Sequence, residues 1–400
     1  MDLTSPREFW LLRNGIGDVP PPLPGDSRCD VALIGAGITG AFVADALTAA
    51  GLSVIAIDRR HPAHGSTCAS TALLQYDLDA SLTDLTATLG RERAVDAYRA
   101  TLDGVEAIGR IADSLETDVG FCRRPSLYRA SRAGDAKDLR TEAETRRAAG
   151  LPCEFLEAAD IARLVDFRAT AALWNESSAE VDPWCLTKAL LARCATRNFA
   201  VYGRTEASRI VPGKSGVEVH TNRGRISARN VVIAAGYESE KFLPKRVAKL
   251  HSTYAIVTQP VQSFDGWEKR CLIWETARPY LYFRTTPDDR IMVGVEDDAF
   301  RDPEHRDARV PGKCRKLLQK TRRLFPRIDV EIAYGWAGTF GETDDSLPYA
   351  GLHPDADKRV LFALAYGANG MPFAAIAAEI LAASILGERH RYEDTFSFNR

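Results

Sequence analysis

The first part of the chain contains two short apolar runs on either side of a stretch with helical spacing. The run Val31–Ile34 is typical of a parallel strand that is buried on both faces. Residues 38–50 have the apolar spacing of a helix and end at Gly51, a residue type that commonly terminates helices. Residues 52–58 form the second apolar run. The pattern therefore predicts a strand–helix–strand unit with both strands in one parallel sheet.

The rest of the chain changes from helical to strand-like patterns and back. Residues 81–157 are polar with helical spacing, whereas residues 200–236 alternate strand-like runs with glycine turns. Further helices are predicted at residues 184–197, 310–325 and 371–386, and Asp182-Pro183 is a start signal for the first of them. Strands are predicted at residues 207–211, 217–221, 225–234, 251–261 and 273–295.

Length and composition restrict the class of protein. A chain of 400 residues exceeds the size at which one hydrophobic core usually keeps growing, so two domains are expected. The chain is 45% hydrophobic and 26% charged, which is ordinary for a soluble globular protein. Its 52 basic and 54 acidic residues nearly balance, and this argues against nucleic acid as a partner because phosphate binding needs a basic surface.

The cysteines and the apolar runs bear on location and metal content. Eight cysteines are scattered without a CxxC motif or a Cys/His cluster at metal spacing, so reduced thiols and no metal are expected. The N-terminus lacks a secretory signal, and no run approaches the roughly 20 apolar residues that span a bilayer. We expect a cytoplasmic protein without a membrane span. The oligomeric state stays open.

Residues 35–40, GAGITG, stand between the first predicted strand and the first predicted helix. The first glycine of such a turn permits a tight bend, the second lets the backbone approach a pyrophosphate, and the third lets helix and strand pack closely. Backbone N–H groups at the helix start then face the phosphates. The turn predicts a dinucleotide site that includes Gly35, Gly37, Ile38, Thr39 and Gly40.

Asp58 ends the second strand, where a carboxylate accepts hydrogen bonds from the adenosine ribose. Arg59 and Arg60 follow it and raise the question of an NADP 2′-phosphate. Asp58 would repel that phosphate, so we predict an unphosphorylated ribose, with all three residues near the cofactor.

Three later segments favour FAD over NAD: residues 64–75, HGSTCASTALLQ, residues 230–236, NVVIAAG, and residues 365–372, AYGANGMP. The first is rich in small hydroxyl residues, the second is a buried strand ending in small residues, and the third leads into an apolar helix whose N-terminus would stabilise reduced flavin. The additional cofactor-binding residues predicted are Gly65, Ser66, Thr67, Ser70, Thr71, Ala72, Leu73, Ala235, Gly236, Gly338, Gly367, Asn369, Gly370, Met371 and Pro372.

These segments, in this order, resemble the D-amino-acid oxidase-like family of FAD-dependent amine and amino-acid oxidoreductases, which includes glycine oxidase and sarcosine oxidase. The resemblance extends over residues 29–386. It implies hydride transfer from a C–H next to the nitrogen of a small amine or amino acid to flavin N5, which gives an imine that water hydrolyses.

The resemblance also implies the fold. We expect an α/β protein with an α+β substrate part, in which a Rossmann-like FAD-binding domain is interleaved with a substrate domain built on a large antiparallel sheet. The expected boundaries are 1–28 for an N-terminal arm, 29–80, 180–247 and 331–400 for the FAD-binding domain, and 81–179 and 248–330 for the substrate domain.

The attachment points for covalent flavin are missing. Family members attached through cysteine carry it shortly before the final proline-containing turn, where residues 336–341 contain none. Members attached through histidine carry it just after the Gly-Ser-Thr turn, where Cys68 and Ala69 stand instead. We therefore predict non-covalent FAD.

Residues 274–284 are the predicted wall of the substrate site. Alternation along a strand puts Arg278, Tyr280, Tyr282 and Arg284 on one face. An arginine there is suited to bind a substrate carboxylate, and tyrosines are suited to surround an amine. The alternative is a structural face with ion pairs to Glu275 or Asp288, and both interpretations stay open. Tyr254 and Trp336 are further catalytic candidates, whereas His251 is interpreted as structural.

The electron acceptor and the substrate are not decided by the sequence. Sarcosine-oxidase-like members have a lysine that helps oxygen accept electrons, and Met292 stands in the similar stretch here. Oxidase and dehydrogenase therefore both remain open. The alternative functions are an FAD-dependent 2-hydroxy-acid dehydrogenase, an NAD(P)-dependent dehydrogenase and a flavin-binding protein without turnover, which would be redox-responsive or structural.

Overall fold

The computed structural model describes residues 2–300, 302–364, 366–367 and 369–400. Within these residues the helices are α1 (Phe9–Asn14), α2 (Ile38–Ala49), α3 (Ser66–Ala69), α4 (Leu82–Leu89), α5 (Arg91–Asp113), α6 (Ala136–Ala148), α7 (Ala158–Leu164), α8 (Pro183–Ala195), α9 (Pro303–Leu324) and α10 (Gly370–Leu386).

The strands in the same residues form three sheets. They are β1 (Ser27–Arg28), β2 (Val31–Ile34), β3 (Val54–Ile57), β4 (Leu73–Leu74), β5 (Cys122–Arg129), β6 (Glu154–Glu157), β7 (Ala171–Glu180), β8 (Phe199–Tyr202), β9 (Ala207–Pro212), β10 (Val217–Thr221), β11 (Gly224–Ala228), β12 (Asn230–Ile233), β13 (Ala248–Thr258), β14 (Leu272–Glu275), β15 (Tyr282–Thr285), β16 (Ile291–Asp298), β17 (Ile332–Thr343), β18 (Tyr349–Leu352) and β19 (Val360–Leu364).

The predicted strand–helix–strand unit is confirmed and lies at the centre of a six-stranded sheet with the order β18-β19-β12-β2-β3-β8. All pairs are parallel except β18 with β19. Val31 and Leu33 of β2 face a core shared with α2, α5 and α10, whereas Ala32 and Ile34 face the opposite core. Apolar residues at every position of β2 are therefore explained by burial on both faces.

A four-stranded sheet with the order β1-β11-β10-β9 covers the second face of the six-stranded sheet. The predicted strand 225–234 is wrong in one respect, because it is two strands in different sheets. β11 pairs with β10, and β12 pairs with β2. Between them the backbone N–H of Arg229 donates to the carbonyl of Asp30, at the point where the chain crosses from one sheet to the other.

The third sheet has nine strands in the order β17-β13-β16-β15-β14-β5-β7-β4, with β6 beside β7. One face packs on α9 through an aromatic core that contains Phe283 and Phe325. The predicted strand 273–295 is three strands, and the predicted wall 274–284 is interrupted between Glu275 and Tyr282. β14 and β15 meet again as an antiparallel pair at Ile273 and Phe283.

The predicted helical stretch 81–157 contains α4, α5 and α6, but also the strands β5 and β6. Of these, α4 and α5 belong to the same core as α2 and α10, and β17 pairs with β13 in the nine-stranded sheet. The sheets and cores therefore interleave along the chain more finely than the expected domain boundaries, which stay a prediction. None of the helices in the described ranges combines the length and apolar character needed to cross a membrane.

Candidate active site

A small cavity of about 100 Å³ lies at the carboxyl ends of β2, β3 and β12 and is lined by Gly35 and Gly37. Gly35 has a φ of +108°, and a Cβ atom on it would lie 2.3 Å from the carbonyl oxygen of Ala234. Gly40 lies outside the lining, and a Cβ there would lie 2.0 Å from the carbonyl oxygen of Gly35. Gly35 thus lets the turn contact the end of β12, and Gly40 lets α2 pack on the turn.

Asp58 lies in the same cavity and accepts two backbone hydrogen bonds. The N–H of Ala36 donates to Oδ2 at 2.9 Å, and the N–H of Arg60 donates to Oδ1 at 2.8 Å. Burial raises the pKa of Asp58, although these two hydrogen bonds lower it in part. Arg59 and Arg60 also line the cavity, and their guanidinium groups lie 2.7 and 2.8 Å from the carboxylate of Glu238.

The hydroxyl groups of α3 reach the start of α2. Thr67 Oγ1 accepts a hydrogen bond from the N–H of Ile38 at 3.0 Å. Ser66 Oγ is buried and has no hydrogen-bond partner within the described residues. Ser66, Ile38 and Thr39 line both the small cavity and a much larger one, so the two cavities are contiguous.

The large cavity has a volume of about 610 Å³. It lies between the face of the nine-stranded sheet opposite α9 and the starts of α3 and α10. The predicted cofactor-binding residues that line it are Ile38, Thr39, Ser66, Ser70, Thr71, Ala72, Leu73, Gly338, Gly367, Asn369, Gly370 and Met371. The small cavity is lined by the predicted residues Gly35, Gly37, Ile38, Thr39, Asp58, Arg59, Arg60, Gly65, Ser66, Thr67, Ala235 and Gly236.

The N-terminus of α10 faces the large cavity. Its N-cap, Asn369, makes no side-chain cap and instead donates from Nδ2 to the carbonyl of Asp77. Gly367 donates from its N–H to the carbonyl of Gly341 at 2.9 Å, which fixes the preceding loop against β17. Pro372 is buried in α10 and does not line the cavity, and Ala365 and Ala368 lie outside the described residues.

Three aromatic residues, Trp274, Tyr280 and Tyr282, line the far side of the large cavity. The rings of Trp274 and Tyr280 meet edge to face at 5.7 Å, and those of Tyr280 and Tyr282 lie 6.0 Å apart. The hydroxyl of Tyr280 donates to Asp79 Oδ1 at 2.8 Å. Burial raises the pKa of Tyr282 to about 12, while hydrogen bonds with Thr71 and Thr253 lower it in part.

A polar group on β13, β16 and β17 completes the lining, and the sequence interpretation missed it. Thr253 is hydrogen-bonded to Asp297, whose pKa is raised by burial. His251 Nε2 lies 3.6 Å from Glu342 Oε2. All four residues line the large cavity, so His251 lies beside the candidate site, and its structural role stays a prediction. Alternation along β13 was the available signal, because it puts His251, Thr253 and Ala255 on one face.

The two arginines predicted for the substrate wall, Arg278 and Arg284, differ in position and burial. Arg278 lines the large cavity but is exposed, and its guanidinium donates to backbone carbonyls, including that of Asp79 at 2.9 Å. Arg284 does not line the cavity and is fully buried. Its Nη1 donates to the carbonyls of Thr71 and Ala72 at 3.1 and 2.8 Å. The prediction for Arg284 is wrong because the segment at residues 71–72 covers this end of the sheet face.

The two remaining catalytic candidates, Trp336 and Tyr254, differ in their contacts. Trp336 lines the large cavity and donates from Nε1 to the carbonyl of Ala69 at 3.0 Å. Tyr254 lines it as well, but its hydroxyl donates to Asp298 Oδ2 at 3.0 Å, and Lys313 of α9 lies over its ring. Alternation turns the Tyr254 ring toward α9, and its catalytic role stays a prediction.

Residues 30–384 match the family model described as FAD dependent oxidoreductase. The chain belongs to this family. This confirms the resemblance to the D-amino-acid oxidase-like proteins and the prediction of an FAD-dependent enzyme. A flavin-binding protein without turnover and an NAD(P)-dependent enzyme are thereby set aside.

Individual proteins resemble this chain in sequence or in fold. Glycine oxidase of Geobacillus kaustophilus is 25% identical over 354 residues, which cover 84% of this chain and 87% of that protein. Its crystal structure has a TM-score of 0.78 at 19% identity and covers 94% of this chain and 99% of that one. L-Proline dehydrogenase from P. horikoshii has a TM-score of 0.76 at 19% identity, with coverage of 94% and 99%. L-Amino acid deaminase from Proteus myxofaciens reaches 0.78 at 15% identity, with coverage of 100% and 98%. The predicted fold class is confirmed.

The residues of the FAD-dependent oxidoreductase fit its cofactor. FAD is an extended molecule, and the two cavities are joined through Ile38, Thr39 and Ser66. The unpartnered Ser66 Oγ is a hydrogen-bond donor buried at this junction. The first turns of α2 and α10 carry backbone N–H groups that have no partner inside their helices, and such groups favour anions.

Proposed function

We propose that this FAD-dependent oxidoreductase oxidises a small primary or secondary amine or an amino acid at the carbon next to nitrogen. The observation that carries the proposal is the shape of the joined cavities. A small cavity at the dinucleotide turn opens into one of about 610 Å³, whose far side is formed by Trp274, Tyr280 and Tyr282. FAD, when bound, supplies the acceptor for a hydride from that carbon, which leaves an imine that water hydrolyses.

The described lining supports a proposal for where the two ends of the cofactor bind. The small cavity, with Asp58 and Gly236, would hold the adenosine and the pyrophosphate, and the start of α10 with Gly370 would face the flavin. We propose that the flavin is not covalently bound, because no cysteine is among the described residues that line either cavity. The eight cysteines are free thiols, which supports the cytoplasmic location that we propose.

The chain's own residues position the substrate and exclude water. Aromatic faces bind an amine by cation–π attraction, and Tyr280 and Tyr282 supply aromatic rings to the lining of the large cavity. Burial raises the pKa of Tyr282 to about 12, so its hydroxyl is protonated at neutral pH and does not act as a base. Hydride removal from a neutral amine depends on orientation and desolvation more than on a strong base.

A substrate screen under anaerobic conditions tests this proposal. Amines, amino acids and 2-hydroxy acids are mixed in turn with the oxidised holoenzyme, and the visible flavin absorbance is recorded. We expect bleaching by at least one amine or amino acid. Bleaching by 2-hydroxy acids alone would contradict the proposal and favour the hydroxy-acid dehydrogenase. The Tyr280→Phe variant, which removes the hydroxyl bonded to Asp79, should slow bleaching more than the Tyr202→Phe variant, whose tyrosine is on β8 outside both linings.

Acid precipitation tests the non-covalent cofactor. We expect the denatured pellet to be colourless and the supernatant to contain the FAD, because no cysteine thiol of the described lining is available for attachment. A yellow pellet after washing would contradict this part of the proposal without affecting the substrate assignment.

The position of Met292 bears on the electron acceptor. Met292 is fully buried, packs in a cluster with Trp10 and Trp336, and does not line the large cavity. The described lining of the large cavity also contains no lysine, the residue that helps oxygen react in sarcosine-oxidase-like members. We therefore expect reduced enzyme to reoxidise slowly in air and quickly with a dye acceptor in stopped-flow experiments. Rapid reoxidation by air would identify an oxidase.

A further inference from the structure

The charged residues of the large cavity are mostly acidic. Asp79, Asp297 and Glu342 line it together with one arginine, Arg278, and one histidine, His251, within the described residues. His251 lies against Glu342, at 3.6 Å between Nε2 and Oε2. The lining therefore carries more negative than positive charge beside the aromatic wall.

Neither Arg278 nor Arg284 is positioned inside the large cavity to bind a substrate carboxylate. Arg284 is buried beneath the segment at residues 71–72 and bonds to its carbonyls. Arg278 is exposed at the rim, where Nη2 donates to the carbonyl of Asp79 and Nη1 to that of Ala277 at 3.2 Å. A carboxylate on the substrate would thus approach aspartates without a buried guanidinium to receive it.

Asp297 has an unused acceptor in this cavity. Its Oδ1 atom is buried and receives no hydrogen bond within the described residues. The groups that act on its pKa are Thr253 and the charges of His251, Lys313 and Asp79. A buried carboxylate oxygen without a donor is costly unless a cation or a donor approaches it.

Aromatic rings lie beside the carboxylates. Tyr280 donates its hydroxyl to Asp79, and Tyr282 lines the same cavity as Thr253 and Asp297. Tyrosine faces next to carboxylates bind alkylammonium groups, because the ring attracts the cation and the carboxylate accepts its N–H bonds. This combination is suited to a substrate that has a second ammonium group.

We propose that the large cavity selects amines that carry a second cationic group, such as alkyl diamines, and discriminates against amines that carry a carboxylate. The inference rests on the proposed amine oxidation and narrows its substrate class. Asp297 binds the second ammonium, Asp79 adds negative charge to the same cavity, and Tyr280 and Tyr282 cover the alkyl chain. The reacting amine lies at the flavin end of the cavity.

Three probes of equal chain length test the proposal with the holoenzyme. Putrescine has two ammonium groups, butylamine has one, and γ-aminobutyrate has a carboxylate in place of the second ammonium. Each is titrated anaerobically, and both the perturbation of the oxidised flavin spectrum and the rate of bleaching are measured. We expect the Kd of putrescine to be about tenfold lower than that of butylamine, which corresponds to roughly 1.4 kcal/mol. We expect γ-aminobutyrate to bind most weakly.

Variants assign the selectivity to Asp297. In Asp297→Asn we expect the putrescine Kd to rise about tenfold while the butylamine Kd changes by less than about twofold. The matched control is Asp344→Asn, which removes an exposed carboxylate paired with Lys249 at 2.9 Å and should change neither value. The ratio of the two Kd values is insensitive to the fraction of folded enzyme, so partial misfolding of Asp297→Asn does not obscure the result.

The outcomes separate this inference from the proposed function. Butylamine or γ-aminobutyrate binding as tightly as putrescine overturns the inference, and so does an equal loss for both amines in Asp297→Asn. Bleaching by simple amines or amino acids in those cases would leave the proposed function intact. If no amine or amino acid bleaches the flavin, the proposed function fails, while the spectral titration still measures whether putrescine is preferred.

Discussion

Gly35 combines a left-handed backbone with a close contact, and the two effects can be measured separately. Its φ is +108°, and a Cβ would lie 2.3 Å from the carbonyl oxygen of Ala234. Gly51 also has a positive φ, +82°, but a Cβ there would meet nothing within 4 Å. Comparing alanine substitutions at Gly35 and Gly51 therefore measures the effect of the contact between the turn and β12 separately from that of the backbone conformation.

We expect Gly35→Ala to lower the free energy of unfolding by about 3 kcal/mol and to prevent FAD retention, because β12 must shift. In Gly51→Ala the free energy of unfolding should fall only by the cost of a left-handed backbone with a side chain, roughly 1–2 kcal/mol, and the variant should keep its flavin. Chemical denaturation and the ratio of flavin to protein absorbance measure both effects. Equal stability and equal flavin content in the two variants would contradict the assignment.

Among the elements, α6 is tied to α4 through one buried carboxylate. Glu142 of α6 accepts hydrogen bonds from the backbone N–H groups of Leu82 and Thr83, both at 2.9 Å. It also pairs with Arg146 Nε at 2.7 Å, and Arg146 pairs in turn with Asp77. Burial by itself would raise the pKa of Glu142, but Arg146 and the hydrogen bonds from Thr83 outweigh it and lower the pKa.

We expect Glu142→Gln to lower the free energy of unfolding by about 3 kcal/mol at neutral pH, because Arg146 loses a buried anionic partner. A carboxyl with a lowered pKa stabilises the fold above its unfolded pKa, and this contribution disappears as the pH falls through the folded pKa. The difference between wild type and variant should therefore shrink in acid. Glu144→Gln, an exposed position on the same helix, is the control and should match wild type at every pH. A pH-independent difference would contradict this account.

At the scale of the whole molecule, the N-terminal arm contacts both the nine-stranded sheet and the segment that follows α3. Leu3 and Ser5 make backbone hydrogen bonds to Thr339 and Ala337 of β17, at 2.7 and 2.9 Å. Trp10 is fully buried, and its Nε1 donates to the carbonyl of Ser70 at 2.7 Å. Ser70 lines the large cavity, so the arm supports a segment of the cavity wall.

We expect Trp10→Ala to lower the free energy of unfolding by about 3–5 kcal/mol and to weaken FAD binding. The indole is lost from a packed core, and the carbonyl of Ser70 loses its donor. Leu12→Ala is the matched control on α1, because Leu12 is 52% exposed. Thermal unfolding followed by flavin fluorescence measures both effects. Similar melting temperatures for the two variants would show that the arm is dispensable.

The sequence by itself determined the cofactor and the framework that holds it. The spacing of Gly35, Gly37 and Gly40 between a buried strand and a helix is a local pattern, and local patterns fix backbone geometry directly. The same holds for β2, α2 and α8, whose observed bounds follow their apolar runs and capping residues. The three later segments, residues 64–75, 230–236 and 365–372, contribute to the lining of the same two cavities because each contains the end of a strand or the start of a helix.

Only the tertiary structure decided which side chains line the large cavity. Arg284 lies on the same face as Tyr282, but residues far earlier in the chain cover it. Asp297 and Thr253 are far apart in sequence and adjacent on paired strands. Alternation indicates the face of a strand but not what lies over it, since sheet register and covering segments depend on contacts between distant parts of the chain. The cofactor therefore followed from local spacing, whereas the acidic lining of the large cavity followed from long-range packing.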